Sequence, residues 1–335
     1  LNEPDKCRCR IGRKATRGGF CEIGHNLMAG KRRTFPAVLD FTRKDLEELI
    51  STRTETGVRL SISGVQDKVL LSYYRGKLTF QPVKDQHSEY ILKLIPARHL
   101  EFRMDVPANE HLSMHACSYV FGMVVAPCCM VELADGEPAL AVKRFDFDTQ
   151  GGKISQEDFC QIAGRSDKSH GKNYKYDFTC QELMELIDTY SSAPILDKMT
   201  LFEHLVVNYA IGNGDAHAKN FSMQTVQREV MLTPGYDILS TALHIPNEAR
   251  TALELFPENR KPTKAYEQHA FYTGSCFMQF AEDNRLIMDR AEALIKKPKA
   301  LEGGMEKYIQ QSFLSDPAKN QYLNTYRDRL KALSY

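Results

Sequence analysis

The chain has 335 residues, with 42% hydrophobic positions and 44 Lys and Arg set against 43 Asp and Glu, for a formal charge of +1. That is enough apolar text to bury a sizeable core and to build two lobes or domains, and so even a charge balance gives no reason to expect direct contact with nucleic acid or an anionic membrane. Nine cysteines, an odd number, favour reduced thiols over a disulfide framework.

The first residues, LNEPDKCRCRIGRK, are charged and lack the apolar core of a signal peptide. The most apolar run, 119–131, is shorter than the roughly 18 residues of a spanning helix and contains Pro127. A cytoplasmic protein is expected.

Residues 1–45 are basic and rich in Gly and Cys, without sustained apolar periodicity, and read as an appended arm or small subdomain. Residues 46–150 read as a small antiparallel β lobe with one helix. A short helix, FTRKDLEELI, leads into two strands within KVLLSYYRGKLTFQPV (68–83), joined at Arg-Gly-Lys; YILKLI (90–95) is a third. CMVELADGEPALAVKRF (129–145) is a hairpin with Asp-Gly at its turn. Between these, VPANEHLSMHACSYVFG has Pro107 in a first helical turn and Leu112, Ala116, Tyr119 and Val120 at helical spacing. From about residue 155 the text is nearly all helical, so 151–335 is expected to be an all-helical lobe.

An α+β, two-lobed layout of this kind, with a polar cluster in the second half, is that of a protein-kinase-like phosphotransferase. Phosphoryl transfer needs one carboxylate beside the attacking hydroxyl and further oxygen ligands for magnesium. In NGDAHAKNFS and YDILST, Asp215, Asn220 and Asp237 have those groups, with four residues between the first two as in a kinase catalytic loop. Taken alone, such Asn, Asp and Gly text also builds ordinary turns. The first half supplies what is missing: Lys93 inside an apolar strand, where a kinase holds its phosphate-binding lysine, and Glu110 on the following helix, where the ion-pair partner belongs.

The segments SISGVQDK, YILKL, NEH, AVKRFD, GNGDAHAKNFS and YDILST, in this order and joined by ISQEDFCQ, resemble the HipA family of bacterial serine/threonine kinases, the toxin halves of toxin–antitoxin modules. The resemblance implies ATP and Mg2+ as cofactors. Asp215 would be the catalytic base or hydroxyl-orienting residue, Asn220 and Asp237 the magnesium ligands, and Lys93 a contact to ATP phosphates. The backbone of Lys143, Arg144 and Phe145 would hold the adenine. Ser61, Ile62, Ser63, Gly64, Val65, Gln66 and Lys68 would belong to the loop over the phosphates. His217 and Lys219 share the catalytic motif, His217 shaping the loop and Lys219 assisting the transferred phosphate. Ser61 and Ser63 are candidates for autophosphorylation, which would set negative charge where ATP phosphates must lie.

As partners, the family implies a protein substrate, such as an aminoacyl-tRNA synthetase, and an antitoxin with a helix-turn-helix, so that nucleic acid is met only through the antitoxin. About sixty residues precede the phosphate loop, which resembles the shorter, HipT-like form, whose missing N-terminal piece can be a separate small protein.

Two other readings are open at this stage: a small-molecule kinase of the aminoglycoside or choline type, with similar GD-x-H-x-x-N text, or a catalytically silent binding protein that keeps the fold. In the arm, Cys7, Cys9, Cys21 and His25 form a candidate structural zinc set, against a basic arm with free thiols.

Overall fold

The computed structural model describes residues 7–9, 11, 14, 19–30, 34–53, 68–80, 87–148, 151–260 and 263–335. Of the expected phosphate loop, Ser61, Ile62, Ser63, Gly64, Val65 and Gln66 lie outside the described residues, and only Lys68 lies within them.

In the first lobe, α1 (Glu22–Ala29) and α2 (Arg43–Arg53) precede a five-stranded antiparallel sheet of β1 (Lys68–Tyr74), β2 (Lys77–Thr79), β3 (Tyr90–Lys93), β4 (Cys128–Glu132) and β5 (Pro138–Lys143), in the order β2-β1-β3-β5-β4. Arg75 and Gly76, at φ 48° and 85°, make the two-residue turn between β1 and β2; both central residues of such a turn need positive φ to match the strand twist. The β4–β5 connection closes with Gly136 at φ 86°.

Strand alternation gives the sheet two different faces. Val69, Leu71, Leu92, Val131 and Ala141 point into a core completed by Phe20, Met28 and Phe35 of the N-terminal segment. Met130, Leu140 and Val142 point the other way, into the larger core that includes α3 (Val106–Tyr119) and runs on into the second lobe. Lys93 follows Leu92 and so lies on this second face. Helix α3 starts with Pro107 in its first turn and is buried almost all round, its Asn109, Glu110, His111, Ser113 and His115 included. Polar groups buried this deeply require partners.

The second lobe contains α4 (Phe159–Ile162), α5 (Asp167–His170), α6 (Cys180–Tyr190), α7 (Pro194–Ile211), α8 (Lys264–His269), α9 (Gly274–Asp283), α10 (Met288–Ala300), α11 (Glu302–Gln310) and α12 (Asp316–Leu333). A capping box of Thr179 and Glu182 starts α6. Pro194 opens α7, and Gly212, left-handed at φ 76°, ψ 41°, ends it. A Cβ on Gly212 would come within 2.6 Å of Thr325, so the turn into the polar loop is also a close approach to α12.

One expectation needs correcting. The second lobe is not all helical: β6 (Ser155–Asp158), β7 (Ser222–Val226) and β8 (Glu229–Leu232) form a three-stranded antiparallel sheet. The β7–β8 turn falls on Gln227 and Arg228, at φ 51° and 73°. Neither is the Gly or Asn that marks such turns in sequence, which hid the hairpin. QEDFCQIAG, read as helical, divides at Asp158, which ends β6 and caps the short α4 through a box with Gln161.

Candidate active site

The site begins with two like charges. In the β1–β3 register Lys68 lies directly across from Lys93, an unfavourable pairing unless an anion stands between them. Asp237 provides it. Its Oδ2 accepts from Lys68 Nζ at 2.9 Å and its Oδ1 from Lys93 Nζ. Lys93, 3% exposed, also donates to Glu110 of α3, which is 1% exposed. Burial alone would raise the Asp237 pKa, but the Lys93 and Lys68 ammoniums hold it well below the usual carboxylate range. Lys93, whose charge burial disfavours, is held above its ordinary value by Asp237 and Glu110. Asp237 itself has φ 55°, a conformation that costs an L-residue energy and persists where the surroundings enforce it.

The loop after α7 presents the second set of groups. Gly214 N–H donates to Thr241 Oγ1 at 2.7 Å, and Asp215 N–H to Asn213 Oδ1 at 3.1 Å. Asn213 is in turn tied to Asn208 of α7 at 2.7 Å. Asn220 Nδ2 donates to the Asp215 carbonyl at 2.8 Å, which turns its Oδ1 away from that bond. A Cβ on Gly214 would lie 2.5 Å from the Ala249 carbonyl, so a side chain there would push the loop out of place. Lys68, Lys93, Glu110, Asp215, Asn220 and Asp237 all line one cavity of about 110 Å³ between the lobes.

Asn109, next to Glu110 on α3, fixes the relation of helix to loop. Its Nδ2 donates to the Ser240 carbonyl at 2.8 Å and its Oδ1 accepts from Ser240 N–H at 3.1 Å. His244 Nδ1 lies 2.8 Å from the Glu101 carbonyl and its Nε2 2.8 Å from Asn109 Nδ2. One neutral tautomer satisfies both contacts, in keeping with burial lowering the His244 pKa. Residues 237–241 are thus locked to the helix that carries Glu110.

Of the other expected residues, His217 lines the cavity, with Nε2 4.0 Å from Asp215 Oδ1. Burial lowers its pKa to about 4, against the pull of Asp215, so the ring is neutral at pH 7. Lys219 does not line the cavity; its Nζ is 3.2 Å from Tyr174 OH and 3.7 Å from Asp158. Lys143, Arg144 and Phe145 also lie outside its lining. Lys143 N–H donates to Pro127 O at 2.8 Å and Arg144 N–H to Glu89 O at 2.9 Å. The Arg144 side chain is held by Asp146, and the Phe145 ring lies 5.7 Å from Tyr236, beside Asp237.

The sequence reading missed Tyr176. Its hydroxyl donates to Asp215 Oδ1, its ring meets the edge of His217 at 5.2 Å, and the carbonyl of neighbouring Lys175 accepts from Ala218 N–H at 3.1 Å. Nothing in KNYKYDF signals this; the contact arises from the packing of a distant loop on the 213–220 segment. In the arm, His25 is a further correction. The sulfurs of Cys7, Cys9 and Cys21 lie within 4.8 Å of one another, and His25 is not among them. Cys21 is the N-cap of α1, so its sulfur turns back to accept from Gly24 N–H, while His25 is carried onward by the helix.

Fold and polar cluster together define a two-lobed, protein-kinase-like α+β protein. A family model described as the HipA-like C-terminal domain matches residues 60–303, and the chain belongs to that family. A candidate kinase of Sinorhizobium fredii is 33% identical over 209 residues, covering 60% of this chain and 47% of that protein. The serine/threonine-protein kinase toxin HipA of Shewanella oneidensis is 29% identical over 231 residues, covering 64% and 51%. The chain therefore spans about half the length of these two relatives. The solved complex of Shewanella oneidensis HipA with HipB and operator DNA has a HipA-like chain fold in common with this one, with a TM-score of 0.61 at 21% identity, over 90% of this chain and 72% of that one. Among the described residues, no helix is long and apolar enough to cross a membrane.

Proposed function

We propose that the chain is an ATP- and magnesium-dependent serine/threonine protein kinase, the toxin half of a toxin–antitoxin module. The observation that carries this reading is the bridge Lys68–Asp237–Lys93, two cations on neighbouring strands sharing one carboxylate at the lobe junction. Paired lysines of this kind suit phosphate oxygens, whose charge they offset in a site shielded from water.

Asp237 and Asn220 would hold magnesium. A carboxylate and a carboxamide oxygen are the hard donors this ion prefers, and the Asn220 amide nitrogen is already spent on the Asp215 carbonyl. When bound, the ion neutralises charge on the phosphates. Lys93, kept charged and fixed by Glu110, and Lys68 orient the phosphate chain. Asp215 orients the acceptor hydroxyl and takes its proton as the new oxygen–phosphorus bond forms and the bond to the leaving nucleoside diphosphate breaks. Tyr176, which now donates to Asp215, occupies a place that an acceptor hydroxyl would take.

The name of the Shewanella oneidensis relative supports a protein acceptor, and the HipB and operator DNA of the solved complex support a DNA-binding antitoxin; an aminoacyl-tRNA synthetase as the acceptor and self-phosphorylation at Ser61 or Ser63 rest on the sequence resemblance alone. Incubation with γ-labelled ATP and magnesium should label the protein itself and then a protein in a cell lysate. Asp215→Asn should lower transfer by ~10²–10⁴-fold while nucleotide binding persists. Unchanged turnover in that variant removes Asp215 from its role, and label on a metabolite or drug alone identifies a small-molecule kinase.

A further inference from the structure

The thiols of the N-terminal segment are unused by the proposed chemistry. Cys7 and Cys9 Sγ are 3.3 Å apart, and Cys9 and Cys21 Sγ 3.6 Å. Cys7 is 0% and Cys9 2% exposed. Two backbone amides are aimed at the sulfurs: Cys21 N–H donates to Cys7 Sγ at 3.2 Å and Gly24 N–H to Cys21 Sγ at 3.4 Å. Three sulfurs gathered this closely offer soft donors to one small volume, the arrangement a thiophilic cation takes.

We propose that Cys7, Cys9 and Cys21 form a three-thiolate site for a thiophilic cation, zinc, in which His25 takes no part. Arg8 builds the first half of the site. Its N–H donates to Gly19 O, its carbonyl accepts from Met130 N–H of β4, both at 2.9 Å, and its guanidinium pairs with Glu132 at 3.2 Å. Pinned so, the residue between Cys7 and Cys9 leaves both sulfurs on one side.

Gly24 decides the other half. A Cβ there would stand 1.9 Å from Cys9 Sγ, so only glycine lets the sulfur rest against the first turn of α1. Cys9 and Gly24 also form part of the wall of a cavity of about 250 Å³, bounded further by Met28, Met114, Met123 and His115. Three sulfur ligands suit a four-coordinate zinc that completes its shell with one further donor. The ion would tie α1 and the Cys7–Cys9 turn together on the face of the sheet opposite Lys93, independently of any kinase reading.

The test is metal analysis of the full chain, purified without chelator from zinc-supplemented cells. One zinc per chain is expected, retained through gel filtration and released by a mercurial, with the release counted by a chromophoric chelator. Cobalt added to the stripped protein should give sulfur-to-metal charge-transfer absorption and the intense visible bands of four-coordination. Cys21→Ser should lose the metal and His25→Gln should keep it. Because Cys21→Ser can also disturb the helix cap, thiol reactivity of the unaltered protein is the second measurement: the three thiols should be protected with zinc bound and exposed after chelation. The proposal is overturned by metal-free protein that takes up no cobalt, by a mass two hydrogens lower that reveals a disulfide, by thiols equally reactive with and without chelator, or by His25→Gln losing the metal as Cys21→Ser does.

Discussion

The two faces of the five-stranded sheet each bury a polar cluster, and they treat charge in opposite ways. On the face toward α3, two lysines and two carboxylates meet, and every charge has a partner within the protein. On the face toward the N-terminal segment, three sulfurs meet, and among the described residues they bond one another, two backbone amides and the Cys21 carbonyl. The first cluster is complete without a ligand and would be rearranged by one; among the described residues, no basic side chain bonds the second. Local neutrality thus separates a site that exchanges its contents from one that would keep them.

The largest effect should come from removing the bridging anion. Asp237→Ala leaves Lys68 and Lys93 facing each other, and should cost about 3–5 kcal/mol in urea unfolding and abolish phosphotransfer. Adding Lys68→Met should recover part of the stability and none of the activity; a double change no more stable than the single one would show that the two lysines do not repel across the ladder.

Acid should distinguish the faces next. Burial lowers the pKa of His204 and of His217 from 6.5 to about 4. On acidification the unfolded chain takes up these protons first, so the stability that the neutral rings contribute is complete above about pH 6.5 and drains away toward pH 4, by about 3 kcal/mol for each ring at most. Denaturant melts across that window should steepen on the side continuous with the second lobe, and His204→Gln should flatten the dependence. A slope unchanged by that substitution would remove His204 from the account.

Smaller again is the clamp between α3 and the 237–241 segment. Asn109→Ala strips both backbone bonds from Ser240 and should cost about 2 kcal/mol. It should weaken nucleotide binding through Asp237 and leave the thiol cluster untouched, which thiol counting can check. The smallest change belongs to the exposed pair Lys77–Asp40. Lys77→Ala should shift stability by about 0.5 kcal/mol or less, and a larger loss would mean that the sheet edge bears more load than its exposure suggests.

Much of the first lobe was legible because its turns use residues that strand geometry demands, such as Gly76 and the Asp135–Gly136 pair. Lys93, Glu110, Asp215, Asn220 and Asp237 could be picked out because the order of their motifs matches a chemistry that needs one lysine, one pairing acid and three polar oxygens. The β7–β8 hairpin stayed hidden because Gln227 and Arg228 adopt positive φ without the usual residues. His25 looked like a ligand because the arm offers its imidazole beside three thiols, and the fold gathers the sulfurs without it. Tyr176 had no signal, since its importance comes only from what it touches.

The amino-acid sequence by itself determined the strands and α3 of the first lobe, the list of groups proposed for phosphoryl transfer and the presence of thiols near the N-terminal end. Those properties follow from local periodicity, turn chemistry and residue identity. Tertiary structure alone decided that Lys68 stands across from Lys93, that Asp237 reaches both, and that three sulfurs converge where Gly24 has no side chain. Register, closure of distant segments and room for one atom more or less are set by packing, which no stretch of sequence contains on its own.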